Sequence, residues 1–329
     1  MHFKQFPGTD MNVSTISVGT WGTGGYAWGE DFDEAAAIDA IVAMLDAGVN
    51  FIDTAPAYGC GYAEQLVGKA IAGRKDKVFI ATKFGSTQPG GVGTPYIRDN
   101  SRANCLKECD ESLSRLGVDC IDLYIIHWPD PNVPIAETMG ALTDLQKAGK
   151  IRYIGVSNFS PAQIEEARAY GEIVMNQLPY SMINRYAEDT MAWCMQHGAG
   201  IMTYGSLGAG LLSGKIRQKP QFSPEDIRGG FYGNIYAEPN FSNTMKLMET
   251  LDAIAADHSV PVSQVAINWS RQHPLVTSAI LGVRSRRHAL ENAAALSWDL
   301  SDAEMARINL AIEATVGMGA SVGPAKKGD

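Results

Sequence analysis

Apolar residues recur at helical spacing along the chain, and each such stretch ends near a glycine and runs straight into a short apolar block. Ile38, Ile41, Val42 and Leu45 occupy positions i, i+3, i+4 and i+7, one face of a helix. Gly48 predicts its end, and NFIDTA (50–55) follows as a strand. Leu106, Cys109, Leu113 and Leu116 share a second helix face, which Gly117 closes before CIDLYIIH (120–127). The same succession returns in ALTDLQKAGKIRYIGVSN (141–158) and MAWCMQHGAGIMTYG (191–205). VFIATK, IRYIGV and IMTYG are almost continuous apolar runs, the pattern of parallel strands buried on both faces.

This pattern predicts strands at 15–19, 50–54, 78–83, 120–126, 151–156, 174–178, 200–204 and 277–281, separated by helices. Eight βα units in one chain favour a closed (β/α)8 TIM barrel, in the α/β class, over an open doubly wound sheet. FKQF, PGTD and NVSTI, ahead of the first unit, predict an N-terminal β-hairpin over the barrel floor. Two stretches exceed a plain connection: 84–100, and 205–243, which is rich in Gly, Pro and aromatic residues. Both follow strands, so both are expected over the C-terminal face, where barrel enzymes carry their chemistry. Nothing marks a boundary within 1–329, so one domain is expected, with 317–329 as a mobile tail.

Composition narrows the function. Hydrophobic residues make up 45% of the 329 and charged residues 19%, enough for a large core. A net charge of −9 offers no general field for nucleic acid or an anionic membrane. There is no apolar run of membrane-spanning length and no apolar signal region at the start. Cys60, Cys105, Cys109, Cys120 and Cys194 are scattered and odd in number, which reads as reduced thiols in a cytoplasmic protein. Cys105 and Cys109 share a helix face without a second ligand pair, so buried thiols are expected there rather than a metal. GTGGYA (22–27) lacks the strand–turn–helix setting of a dinucleotide fingerprint. LGAGLLSGKI (207–216) lacks the first glycine and the Ser/Thr of a phosphate loop.

The informative residues stand at strand ends. Asp53 closes NFIDTA, Lys83 closes VFIATK, and His127 closes CIDLYIIH, while Tyr58 lies five residues past Asp53. Singly, each is ordinarily a satisfied structural group; four of them around one barrel mouth point to chemistry. A buried lysine and aspartate need each other as partners. A lysine cation beside a phenol is expected to lower the phenol pKa, and a neutral imidazole can donate to a carbonyl oxygen. Together they make a proton donor and an oxyanion pocket.

At this point the sequence resembles the aldo-keto reductases over about 15–296. The resemblance rests on FIDTAPAYG (51–59), ATK (81–83), DLYIIHWPD (122–130), GKIRYIGVSNF (149–159), NQLPYS (176–181), GLLSGK (210–215) and ENA (291–293). Its WPDP and GLLSGK segments look most like the bacterial branch related to the potassium-channel β subunits. The resemblance implies a catalytic tetrad of Asp53, Tyr58, Lys83 and His127. In it Tyr58 is the general acid, Lys83 held by Asp53 tunes it, and His127 orients the carbonyl. It also implies a nicotinamide cofactor and no metal. Ser157, Asn158 and Gln177 match the groups that bind the carboxamide, and Tyr204 the aromatic stacked on the nicotinamide. Gly205, Ser206, Leu207, Gly210 and Lys215 match the loop over the pyrophosphate. Thr20 and Trp21 match positions beside nicotinamide and substrate, Asp53 is also a cofactor-binding position, and Trp21, Tyr58 and Trp128 are the expected substrate-pocket wall.

RSRRH (284–288) packs three arginines into five residues of an acidic chain. A solvated basic turn is the simple reading, but this one follows the last strand and opens a helix, which is a ready anion site. Arginine forks suit a 2′-phosphate. In the family this turn grips that phosphate, so the resemblance implies NADPH/NADP+, with Gly282, Arg284, His288, Glu291 and Asn292 at the matching positions. His288 replaces a glutamine common in this branch, and Arg286 and Arg287 have no matching role. The expected activity is reduction of a small-molecule carbonyl, aldehyde or ketone, to its alcohol. The alternative is a regulatory, redox-sensing NADPH-binding subunit, disfavoured by the short segment before residue 15.

Overall fold

The computed structural model describes residues 2–26, 28 and 32–323. The chain begins with an antiparallel hairpin, β1 (Phe3–Gln5) and β2 (Asn12–Ser14), in which Phe3 pairs with Ser14. Strands β3 (Ile16–Gly19), β4 (Phe51–Asp53) and β5 (Phe79–Phe84) begin the barrel. A small antiparallel pair, β6 (Ser86–Thr87) and β7 (Ile97–Arg98), lies in the loop after β5. The barrel continues with β8 (Ile121–Ile126), β9 (Ile151–Ser157), β10 (Met175–Pro179), β11 (Gly200–Tyr204) and β12 (Ser278–Gly282). Each barrel strand runs parallel to its neighbours, and β12 pairs with β3 to close the ring. The eight strands match the predicted ones to within one residue at either end.

The helices α1 (Glu34–Asp46), α2 (Tyr62–Ala70), α3 (Arg102–Leu116), α4 (Ile135–Lys147), α5 (Pro161–Arg168) and α6 (Glu188–Gln196) fill the intervals between consecutive barrel strands up to β11. Local chemistry sets their ends. Asp33 caps α1 by accepting from Ala36 N, and Ser101 caps α3 by accepting from Asn104 N. Gly117 ends α3 in the left-handed conformation at φ 66°. The buried face of α1 is centred on Ala37, Ala40, Ile41 and Met44, with Ile38, Val42 and Leu45 half-buried at its flanks. After β11 the chain makes a long excursion through a 3-10 turn (Gly208–Ser213), α7 (Gly233–Tyr236) and α8 (Asn240–His258) before α9 (Val262–Gln272) returns it to β12. Then α10 (Arg286–Ala294) completes the ring, and α11 (Asp302–Thr315) packs on α8.

Two cores result. The outer one lies between strands and helices; the inner one fills the barrel with Phe51, Ala81, Leu123, Ile125, Met175, Met202 and Ile280. Phe6, Met11 and Val13 of the hairpin join that inner core, with Phe6 edge-on to Phe51, so the hairpin plugs the floor and leaves the opposite end for the site. The first part of the expected mobile tail is seated on the barrel. Ala320 is buried and donates its N–H to Ile183 O, and Gly323 donates to Phe231 O. Residues 324–329 of that tail lie outside the described residues. Among the described residues no helix is long and apolar enough to cross a membrane.

Candidate active site

Side chains along a barrel strand alternate between the interior and the helix layer. The inner core therefore predicts its own lid: two residues above each buried rung stands the next inward side chain. Asp53 stands above Phe51, Lys83 above Ala81, and His127 above Ile125. Gln177 stands above Met175 and Tyr204 above Met202. Apolar rungs give way to polar ones where the strands reach the C-terminal rim.

Lys83 is wholly buried, and its Nζ donates to Asp53 Oδ1 at 2.8 Å, Asp53 Oδ2 at 2.9 Å, Thr54 O at 2.9 Å and Tyr58 Oη at 3.2 Å. Neighbouring strands β4 and β5, with Asp53 level with Ala81, place the carboxylate just below the ammonium. Burial pulls the Lys83 pKa down, and Asp53 opposes it. The His127 ring stands edge-on to Tyr58 with centroids 6.0 Å apart. Burial, helped by Lys83, holds its imidazole well below the usual histidine range, so it is neutral near pH 7. Tyr58 departs from the expectation. Its pKa lies well above the ordinary phenol value, because burial disfavours the phenolate and Asp53 adds to the effect. The lysine cation is bound to a carboxylate and does not reverse that. Tyr58 therefore holds its proton beside an ammonium and a neutral imidazole.

The supporting contacts are local and tight. The loop carrying Tyr58 meets the segment after β3 at Gly59 and Gly24. A Cβ on Gly59, which has φ 63°, would lie 2.1 Å from Gly24 O. Gly24, within the GTGGYA stretch whose Ala27 lies outside the described residues, thus serves a backbone crossing. Behind β5, Glu64 is fully buried, accepts from Thr82 Oγ1 at 2.6 Å and is paired with Arg115 at 2.7 Å. Glu108 accepts from Gly85 N at 2.8 Å and anchors the exit of β5; burial pushes its carboxyl up to about 7. Neither glutamate stood out in the sequence, since each lies within an ordinary helix pattern.

Across the mouth, Tyr204 Oη donates to Asn158 Oδ1 at 3.0 Å, Asn158 Nδ2 to Ser157 Oγ at 2.9 Å, and Ser157 Oγ to Gln177 O at 3.0 Å. Thr20 is buried and holds Asp53 O through its N–H and hydroxyl. Trp21 stacks on Tyr58 (5.9 Å, 18°) and is itself bordered edge-on by Trp28 and Phe231 and at a tilt by Tyr232. Trp128 lies under the Arg98 guanidinium, 5.3 Å away, where the loop after β5 folds over it.

At the rim, the loop after β11 has positive φ at Gly205, Gly208, Ala209, Gly210 and Gly214, with Ser206 buried and Leu207 half-buried. It delivers Lys215, whose Nζ lies 2.5 Å from His288 Nε2 on α10. Burial and then Lys215 lower the His288 pKa. Ser285 caps α10, and an added side chain at Gly282 would meet open space. The donor set of Lys215, His288, Arg284 and a helix N-terminus, beside that open glycine, fits a phosphate-bearing group. Arg284 Nη1 also donates to Trp28 O at 2.6 Å, tying the turn to the aromatic wall. Arg286 pairs with Asp39 on α1, and Arg287 with Glu291 one helical turn away. Asn292 Nδ2 donates to Gly282 O at 3.5 Å. Among the described residues no group of three or more His, Cys, Asp or Glu is placed to hold a metal.

The model of the aldo/keto reductase family matches residues 15–313. The chain is 36% identical over 320 residues to the aldo-keto reductase YhdN of Bacillus subtilis (strain 168), covering 96% of this chain and 95% of that protein. It is 33% identical over 311 residues to the NADH-specific methylglyoxal reductase of Escherichia coli (strain K12), covering 90% and 94%. The glycerol dehydrogenase of Gluconobacter oxydans superposes with a TM-score of 0.87 at 33% identity, over 99% of each chain.

Proposed function

The chain belongs to the aldo/keto reductase family, and from that premise we propose that it reduces an aldehyde or ketone to the alcohol with NADPH, Tyr58 giving the proton. The observation that carries the reading is the fully buried Lys83 ammonium, bridged between Asp53 and the Tyr58 phenol beside a neutral His127. When bound, the reduced nicotinamide supplies a hydride. The chain's own groups do the rest. The carbonyl oxygen sits between the Tyr58 hydroxyl and a His127 N–H, and Tyr58 passes its proton as negative charge develops there. The Lys83 ammonium, 3.2 Å away, stabilises the phenolate left behind. Trp21, stacked on Tyr58 and bordered by Trp28, Phe231 and Tyr232, forms an apolar wall that excludes water.

For the cofactor, Ser157, Asn158 and Gln177 would hold the carboxamide, and Tyr204 would flank the nicotinamide. Gly205, Ser206, Leu207, Gly210 and Lys215 would hold the pyrophosphate, with Thr20 and Trp21 toward the nicotinamide end. Gly282, Arg284, His288, Glu291 and Asn292 would hold the adenosine, and the cationic rim would favour its 2′-phosphate. Arg286 and Arg287 stay with their acidic partners. The test is oxidation of NADPH, and of NADH in parallel, over a panel of aldehydes and ketones, with Tyr58→Phe as control. Turnover with NADPH that Tyr58→Phe abolishes supports the reading. Tight NADPH binding without turnover on any carbonyl supports a regulatory, redox-sensing subunit instead, and a preference for NADH overturns the assignment at the rim.

A further inference from the structure

Gln177 makes a contact that carboxamide binding does not use. Its strand β10 stands four places from β4 in the ring of eight, directly across the barrel. Its side chain nevertheless crosses the mouth, and Nε2 lies 2.7 Å from Asp53 Oδ1. Gln177 and Asp53 are 2% and 3% exposed. An ionised carboxylate only accepts, so the amide nitrogen is the atom facing it and donates. The same Oδ1 receives Lys83 Nζ at 2.8 Å.

Gln177 is itself held at both ends. Its main-chain O accepts from Asn158 N at 3.0 Å and Ser157 Oγ at 3.0 Å. Its Nε2 rests 3.9 Å from Met202 Sδ, its register partner on the neighbouring strand β11.

We propose that Gln177 is a positioning residue for proton donation: its N–H, given across the barrel mouth to Asp53 Oδ1, fixes the carboxylate that aims Lys83 Nζ at Tyr58. The role rests on Tyr58 being the proton donor. The physical reason is a shortage of protons on Lys83. An ammonium has three N–H bonds, and Lys83 Nζ faces four oxygens, of which Tyr58 Oη at 3.2 Å is the farthest. A carboxylate free to rotate draws the ammonium fully to itself, and the Tyr58 contact is the first to be lost. A neutral donor on Oδ1 restrains that rotation and takes up part of the oxygen's accepting capacity without adding charge. The amide also spans from β10 to β4, a distance that asparagine, shorter by one methylene, does not cover.

Three measurements test this. Gln177→Met keeps the volume and loses the N–H, so kcat at saturating cofactor should fall about ten- to a hundred-fold at every pH, the range set by a hydrogen bond to a charged group. Gln177→Glu replaces the amide by a carboxyl that donates only while protonated. Its kcat should lie nearest the wild type at low pH and decline as that carboxyl ionises, an inflection absent from Gln177→Met. The third measurement needs no cofactor. The unfolding constant is followed for Gln177→Met in the wild-type and Asp53→Asn backgrounds, and the loss should be about three- to tenfold smaller in the second, where the charged acceptor is gone.

A Gln177→Met enzyme with wild-type kcat and only a raised KM for the cofactor would overturn the proposal, because Gln177 would then serve the carboxamide alone. Equal losses in both backgrounds, or a Gln177→Glu pH profile parallel to the wild type, would overturn it as well. If the wild type turns over no carbonyl, the reductase reading itself fails and the positioning role falls with it, even where the cofactor-free measurement shows the coupling.

Discussion

Two cationic regions bracket the C-terminal face, and water reaches them very differently. At the mouth, Lys83 is wholly buried against an Asp53 side chain only 4% exposed. At the rim, Arg286 and Arg287 side chains are 53% and 73% exposed and Lys215 is exposed. In the buried pair, desolvation and Coulomb attraction are both large, so removing one partner leaves an uncompensated charge. At the rim, solvent and salt screen each pair, and surface ion pairs of this kind contribute little to stability. The mouth keeps its charge pair away from water, whereas the rim presents its cations to solvent.

The largest expected effect lies at the mouth. Tyr58→Phe removes the proposed proton donor and keeps the ring that stacks on Trp21, so kcat should fall roughly 10²–10⁴-fold while NADPH binding persists. Steady-state kinetics beside a fluorescence titration measures both, and a variant retaining half the wild-type kcat breaks the assignment. Lys83→Met should lose activity and stability together. It strands Asp53, at a cost of about 3–5 kcal/mol, which chemical denaturation of the cofactor-free protein will register. A Lys83→Met protein as stable as the wild type would show that the mouth behaves like the rim.

At the rim, Arg284→Ala should weaken NADPH about ten- to a hundred-fold through loss of a charge-assisted hydrogen bond and leave NADH nearly unchanged. Arg284 also donates to Trp28 O. Equal losses for the two cofactors would therefore assign it to holding the aromatic wall rather than to the phosphate.

Glu108 sharpens the contrast from a third position: it is a buried carboxyl held by the Gly85 N–H, where Asp53 has a lysine. Its folded pKa, pushed up to about 7 by burial, lies above the unfolded value, so the folded state binds the extra proton. Stability is full below the unfolded pKa of about 4.3 and declines as pH rises through that window to about 7. Glu108→Gln should flatten Tm against pH over this interval; an unchanged slope would place its origin elsewhere. The smallest effect concerns salt. The NADPH advantage over NADH should shrink severalfold between about 0.05 and 0.5 M salt as the Debye length contracts, whereas kcat should hardly change.

Much of this architecture follows from the amino-acid order alone. Periodicity and helix-stopping glycines are local properties, so eight strands could be placed to within one residue and the barrel inferred from their number. Asp53, Lys83 and His127 were legible because each interrupts an apolar run at its end, and period-two alternation then obliges them to point into one mouth. What closure of the ring decided was different in kind. The Gln177–Asp53 contact joins residues 124 positions apart, and the Arg284–Trp28 contact joins residues 256 apart. No local pattern encodes either, because both depend on which strands and loops face each other across the barrel. The protonation of Tyr58 was likewise beyond the sequence. A nearby lysine predicted a lowered pKa, but the balance turns on how completely the phenol is desolvated and on Asp53 already holding the cation. Burial is a property of the assembled barrel, and it outweighs the charge that the sequence could show.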